Sequence, residues 1–371
     1  MTADFPGFTK SEIDASRKAN NARSRILNHS HNPGLASASH RVRHKIVTGP
    51  QKSIRSLAAG EKTTTTGLKN LGNTCYMNSI IQCLYSIKNL ARELCEDLGE
   101  PKLNPKSRFQ GRIARAMGTA FNLMRRNCGS FASLGQLKSA VDHVYEPFRG
   151  SGQQDSHEFL MKVLEWTGED LGAPALMSSL GPPGGGSCGG RGMSRFENSF
   201  LGLHQSLIKC GLCTYSSATF EPFSAISLSL PVGGITLGDL LRDYYSEISI
   251  QYDCPQCKCA TTASRSLCIK KMPSVLIFHL NRFEGGDGLR KNQSYIRFPL
   301  RDLDLSEFGE DPATKMDLCA VSNHYGTMHG GHYTACGRRG GIWYRFDDLV
   351  TTQVSERSVC SAAAYVLFYE I

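Results

Sequence analysis

The chain has 371 residues, 40% of them hydrophobic, enough to bury a substantial core and to exclude a wholly disordered polymer. No run of about 18 apolar residues occurs, and Met1 to Gly7 lacks the basic-then-apolar pattern of a secretory signal, so neither membrane spanning nor export is expected. The net charge of +9 is uneven: residues 1–65 carry eleven Lys or Arg against four acidic residues (+7), leaving 31 against 29 (+2) for the rest.

Residues 1–65 read as a basic, disordered N-terminal arm, suited to an acidic partner through charge alone. With neither interleaved aromatics nor heptads, the arm gives no sign of a specific nucleic-acid reader. Apolar periodicity begins only after Gly67, which sets a domain boundary near residue 65 and one domain over 66–371. From Cys75 the residues Met77, Ile80, Ile81 and Leu84 repeat at helical spacing, as do Ile113, Met117, Ala120, Phe121 and Met124, and again Phe159, Leu160, Val163 and Leu164. These segments predict a helical subdomain through about residue 170.

The first of these helices follows a Gly-bearing loop, Gly67-Leu68-Lys69-Asn70-Leu71-Gly72-Asn73-Thr74-Cys75. A cysteine at such a helix start meets unpaired amides and the positive end of the dipole, which favour a thiolate. The same donors, with the Asn70 amide, suit an oxyanion. A buried structural cysteine fits the spacing equally well, and Cys83 on the same helix reads as core. In Gln153-Gln154-Asp155-Ser156-His157-Glu158 the acidic residues can simply cap the next helix.

A Gly/Pro/Ser-rich stretch at 172–193 reads as a flexible insertion. Beyond it come short β-favouring runs at Ala225 to Leu230, Val275 to Leu280, Tyr333 to Cys336, Trp343 to Phe346 and Tyr365 to Tyr369. A helical half followed by a sheet half predicts an α+β fold with a cleft between them. Two CxxC pairs, Cys210/Cys213 and Cys254/Cys257, sit in turn-forming sequence. Together they offer four thiolates for one structural zinc ion with no open coordination position. Cys259 is a bystander, and no organic cofactor is expected. Of His324, His329 and His332, only His332 begins a β run, a rigid platform for a base. Asp347 ends a following run from which a carboxylate can orient the imidazole, whereas His324 and His329 fit exposed turns and Asp348 a strand terminator.

The Cys75 loop, the Gln-rich octet from Gln153, and Gly330-Gly331-His332-Tyr333 followed by Trp343-Tyr344-Arg345-Phe346-Asp347 resemble, in order, the boxes of the ubiquitin-specific proteases. The resemblance covers roughly residues 66–371. It implies a papain-like cysteine protease fold with a helical thumb, a β-rich palm and zinc-ribbon fingers at about 205–265. It further implies Cys75 as nucleophile, His332 as base, Asp347 as its orienting partner and Asn70 as oxyanion donor. Asp155 would bind the ubiquitin tail, with Gln153 beside it, while His157 would be structural. Asn281 and Cys336 depart from residues common in the family. The implied activity is thiol-dependent deubiquitination, with ubiquitin and ubiquitinated proteins as partners in the cytoplasm or nucleus. The alternatives are a protease for another ubiquitin-like modifier and a non-catalytic ubiquitin-binding scaffold. A metallohydrolase conflicts with four-thiolate ligation.

Overall fold

A computed structural model describes residues 64–371 except 89, 92–93, 95–102, 173–194, 232, 234, 285–289, 311–314 and 328–329. The basic arm, the 172–193 insertion beyond its first residue, and His329 therefore lie outside the described residues, except Thr64 and Thr65 of the arm. Thr64 and Thr66 are buried. The Thr64 carbonyl accepts from Arg339 Nη1 at 2.7 Å, and Thr66 Oγ1 donates to the Met124 carbonyl at 2.6 Å. Chain on both sides of the expected boundary near residue 65 is thus tied into the core.

The short strand β1 (Gly67–Leu68) leads into α1 (Cys75–Tyr85). Every residue of α1 from Cys75 to Leu84 is buried, so this is a central helix rather than a surface one. Around it pack α2 (Arg112–Arg126), the strand β2 (Phe131–Ala132), α3 (Gly135–Val144) and α4 (Ser156–Asp170). On α2 the residues Ile113, Met117, Ala120, Phe121 and Met124 are buried, as their period required. The Asp170 carboxylate ties the start of α2 to the end of α4, accepting from the amides of Gly111, Ile113 and Ala114.

The second half is all strand in its main framework. A four-stranded antiparallel sheet is built from β3 (Gly202–Cys210), β4 (Ser216–Phe223), β6 (Ile248–Cys254) and β7 (Cys259–Lys271), in the order β4-β3-β7-β6. Its strands feed the main sheet through β5 (Ile226–Ser229) and β8 (Val275–Asn281). The main sheet continues with β9 (Lys315–Gly326), β10 (Gly331–Arg339), β11 (Ile342–Asp347), β12 (Val350–Gln353) and β13 (Ala364–Glu370). Its path runs β12-β11-β10-β9-β13-β8-β5, with the last pair parallel.

Both faces of this sheet are covered, which explains why its central strands read as unbroken apolar runs. In β8, Val275 and Ile277 belong to the core shared with the helices, while Leu276 and Phe278 belong to a second core on the opposite side. The helical and sheet halves therefore meet along α1 and β10. Among the described residues, no helix is long and apolar enough to cross a membrane.

Candidate active site

Cys75 is the first residue of α1, and the loop before it is held by its own side chains. Asn70 Oδ1 accepts from the amides of Gly72 and Thr74 at 3.0 and 3.1 Å, and Thr74 Oγ1 accepts from the Leu71 amide at 2.9 Å. Gly72 sits at φ +106°, a conformation costly for any residue with a Cβ, so the turn into the helix requires a glycine there. The other end of the Asn70 amide, Nδ2, donates to Asp348 Oδ2 at 2.9 Å. Asp348 Oδ1 accepts from Asn78 Nδ2 at 2.8 Å, one turn along α1 from the cysteine. Asp348 is therefore more than the strand terminator its position predicts.

His332 is the second residue of β10. Its Nε2 lies 2.7 Å from Asp347 Oδ1, which leaves Nδ1 as the nitrogen free of that bond. The second oxygen of Asp347 accepts from Arg345 Nη2 at 3.1 Å. The backbone of Tyr333, the next residue of the same strand, hydrogen-bonds the Cys75 thiol. Strand and helix thus bring positions 75, 332 and 347 to one place. One expectation is revised: burial pushes the Cys75 thiol above its ordinary value, outweighing the backbone amides that pull it down, and the Asp348 charge adds to the rise. That shift favours the neutral thiol, the form that an adjacent base can activate.

Asp155 caps α4, accepting from the amides of His157 and Glu158 at 2.7 and 2.9 Å. Its second oxygen accepts from the Tyr365 hydroxyl at 2.6 Å. Tyr365 lies among Tyr333, His324, His279 and Phe283, giving an aromatic wall next to the strand of His332. Gln153 instead donates to Asn73 Oδ1 at 3.1 Å, joining its segment to the loop before Cys75.

His157 stacks on His279 with ring centroids 3.8 Å apart, a packed pair rather than a base. His324, expected in an exposed turn, lies instead in β9 and is buried, its imidazole pushed down to about 4 by desolvation. The turn signal failed because Gly326 ends this strand two residues later.

At the end of the four-stranded sheet, Cys210, Cys213, Cys254 and Cys257 gather with all four sulfurs within 4.8 Å of one another. The Cys210–Cys257 and Cys213–Cys254 sulfurs are 3.9 and 3.7 Å apart. A tetrahedral ion with metal–sulfur bonds of about 2.3 Å requires edges of about 3.8 Å, so this donor set fits a metal ion closed to further ligands. The amides of Leu212, Tyr215 and Cys257 point at three of the sulfurs and would steady them as thiolates. Cys259 is exposed and outside the cluster.

Comparison with known proteins gives a family for this geometry. A family profile described as "Ubiquitin carboxyl-terminal hydrolase" matches residues 66–369. Ubiquitin carboxyl-terminal hydrolase 2 of Gallus gallus is 33% identical over 332 residues, covering 82% of this chain and 93% of that protein. Ubiquitin carboxyl-terminal hydrolase 21 of Bos taurus and hydrolase 2 of Rattus norvegicus are 30% and 32% identical over 82% of this chain, which spans only 61% and 54% of their lengths. A solved chain from the SAGA Ubp8/Sgf11/Sus1/Sgf73 DUB module bound to ubiquitin aldehyde superposes with a TM-score of 0.68 at 25% identity, covering 84% of this chain and 71% of its own. The α+β architecture and the four-cysteine cluster agree with that fold, and this chain belongs to the ubiquitin carboxyl-terminal hydrolase family.

Proposed function

We propose that this chain hydrolyses the bond after the C-terminal glycine of ubiquitin, with Cys75 as nucleophile. The observation that carries the reading is the 2.7 Å His332–Asp347 bond on the strand whose next backbone amide reaches the Cys75 thiol. His332 Nδ1 takes the thiol proton and the sulfur attacks the glycine carbonyl. The oxyanion is held by the second Asn70 Nδ2 hydrogen and by backbone amide at the start of α1. The C–N bond then breaks as His332 returns the proton to the departing lysine amine. Water, deprotonated by the same imidazole, displaces the sulfur and releases ubiquitin with a free carboxylate.

Asp155, fixed by Tyr365, accepts a backbone amide of the extended tail. The four-cysteine site holds zinc as a structural ion, whose contribution is folding energy for a sheet with little core of its own. An intracellular setting belongs to the same reading, because the chemistry requires reduced thiols. The test is a ubiquitin probe with a thiol-reactive group at its C-terminus. It should label the wild type and fail to label Cys75→Ala, while that variant still binds ubiquitin. Labelling of Cys75→Ala at the wild-type rate would remove Cys75 from the role, and labelling by probes built on another modifier alone would replace the substrate.

A further inference from the structure

Of the five most exposed large hydrophobic residues among those described, three gather at one place: Val350 at 60%, Phe131 at 56% and Leu349 at 52%. Single exposed apolar residues are ordinary, but a group of them is not. Phe131 in β2 is the parallel register partner of Gly67 in β1, so the two positions face the same way. A Cβ on Gly67 would lie 2.2 Å from the Leu349 carbonyl oxygen, so the turn carrying Leu349 overlies that position. Phe131 and Leu349 therefore flank the same glycine, whose missing side chain lets the turn close. Val350 is the antiparallel register partner of Asp347, so its side chain stands on the face of the carboxylate that holds His332.

Sheet order gives this group a direction relative to the chemistry. His332 lies in β10. On one side come β9 and then β13, where Tyr365 meets Asp155. Beyond them lie β8 and β5, into which the four-stranded sheet feeds. On the other side come β11 and β12, with Leu349 in the turn between them and Val350 opening β12. A tail that enters past Asp155 and Tyr365 and presents its last carbonyl to Cys75 must therefore continue, beyond the broken bond, toward β11 and β12. From this we infer that Phe131, Leu349 and Val350 receive the leaving protein, the polypeptide whose lysine was joined to ubiquitin, through an apolar patch flanking that lysine. The inference rests on the proposed function. It makes these residues determinants of which conjugates are cleaved, with no part in binding the ubiquitin tail.

The experiment compares two substrates with the same ubiquitin tail, a small fluorogenic amide of ubiquitin and the di-ubiquitin linkage that the wild type cleaves fastest. Phe131→Ser, Leu349→Ser and the double variant should match wild-type kcat/KM on the small amide within about twofold. On the di-ubiquitin they should lose about tenfold, with Leu349→Met restoring turnover. Equal losses on both substrates would overturn the inference, since the residues would then support the catalytic turn itself. Unchanged cleavage of the di-ubiquitin would overturn it as well. Wild-type protein that cleaves neither substrate would remove the proposed function, and this inference with it.

Discussion

Asp348→Asn isolates the residue that ties the nucleophile loop to the end of β11. Asparagine tolerates the φ of +48° found at this position and keeps the side-chain shape. It exchanges one of two acceptor oxygens for an NH2 group, while Asn70 and Asn78 both present NH2 donors at 2.9 and 2.8 Å. The two donors face different oxygens, so the remaining oxygen faces one of them and the new NH2 group faces the other. Asn78 is 2% exposed and Asn70 partly exposed, and the deeper donor costs more to leave unpaired, so Asn78 keeps the oxygen and Asn70 is released. A fixed oxyanion donor is worth about 10²–10³ in kcat, and a freed one retains part of that, so kcat should fall about 10- to 100-fold.

A second readout moves the other way. The Asp348 charge raises the Cys75 thiol, and its removal lowers it, so alkylation of Cys75 by iodoacetamide at pH 7.5 should become faster. Steady-state turnover of a ubiquitin amide and the alkylation rate, measured on the same preparation, make the test. A kcat within about threefold of wild type, or a fall in both readouts together, would refute the reasoning.

The remaining expectations concern metal and acid. Cys254→Ser should release bound zinc, measured by elemental analysis, and lower the melting temperature, because a tetrahedral site loses one of four thiolates; intact protein purified without metal would contradict the structural ion. Acid should destabilise the fold through its buried imidazoles. Desolvation holds His204 and His324 at about 4 and, first among its causes, His279 at about 3, whereas an unfolded histidine titrates near about 6.5. The unfolded chain thus takes up protons that the fold refuses, so stability present above about pH 6.5 is lost as pH falls toward 4, by about 1 kcal/mol per histidine at pH 5.5. Melting curves at pH 7.5, 6.5 and 5.5 check the sign, and a flat profile would show that these rings are hydrated in solution.

Much of this protein was legible in its sequence because the signals are local. The period of Met77, Ile80, Ile81 and Leu84 and the loop before Cys75 come from one segment each, and each CxxC pair is a turn whose geometry its own few residues set. The apolar run Val275 to Leu280 marked a strand, since no polar residue interrupts it before His279. Tertiary structure decided what depends on pairing between distant segments. Asp348 serves Asn70 from 278 positions away, and nothing near either residue marks the bond. His324 reads as a loop beside Gly326 until pairing with β10 and its amide's bond to the Ala363 carbonyl fix it in the sheet. The Cys75 thiol is raised because burial by the surrounding chain outweighs the helix start that favours its anion, a balance that only the packed molecule sets.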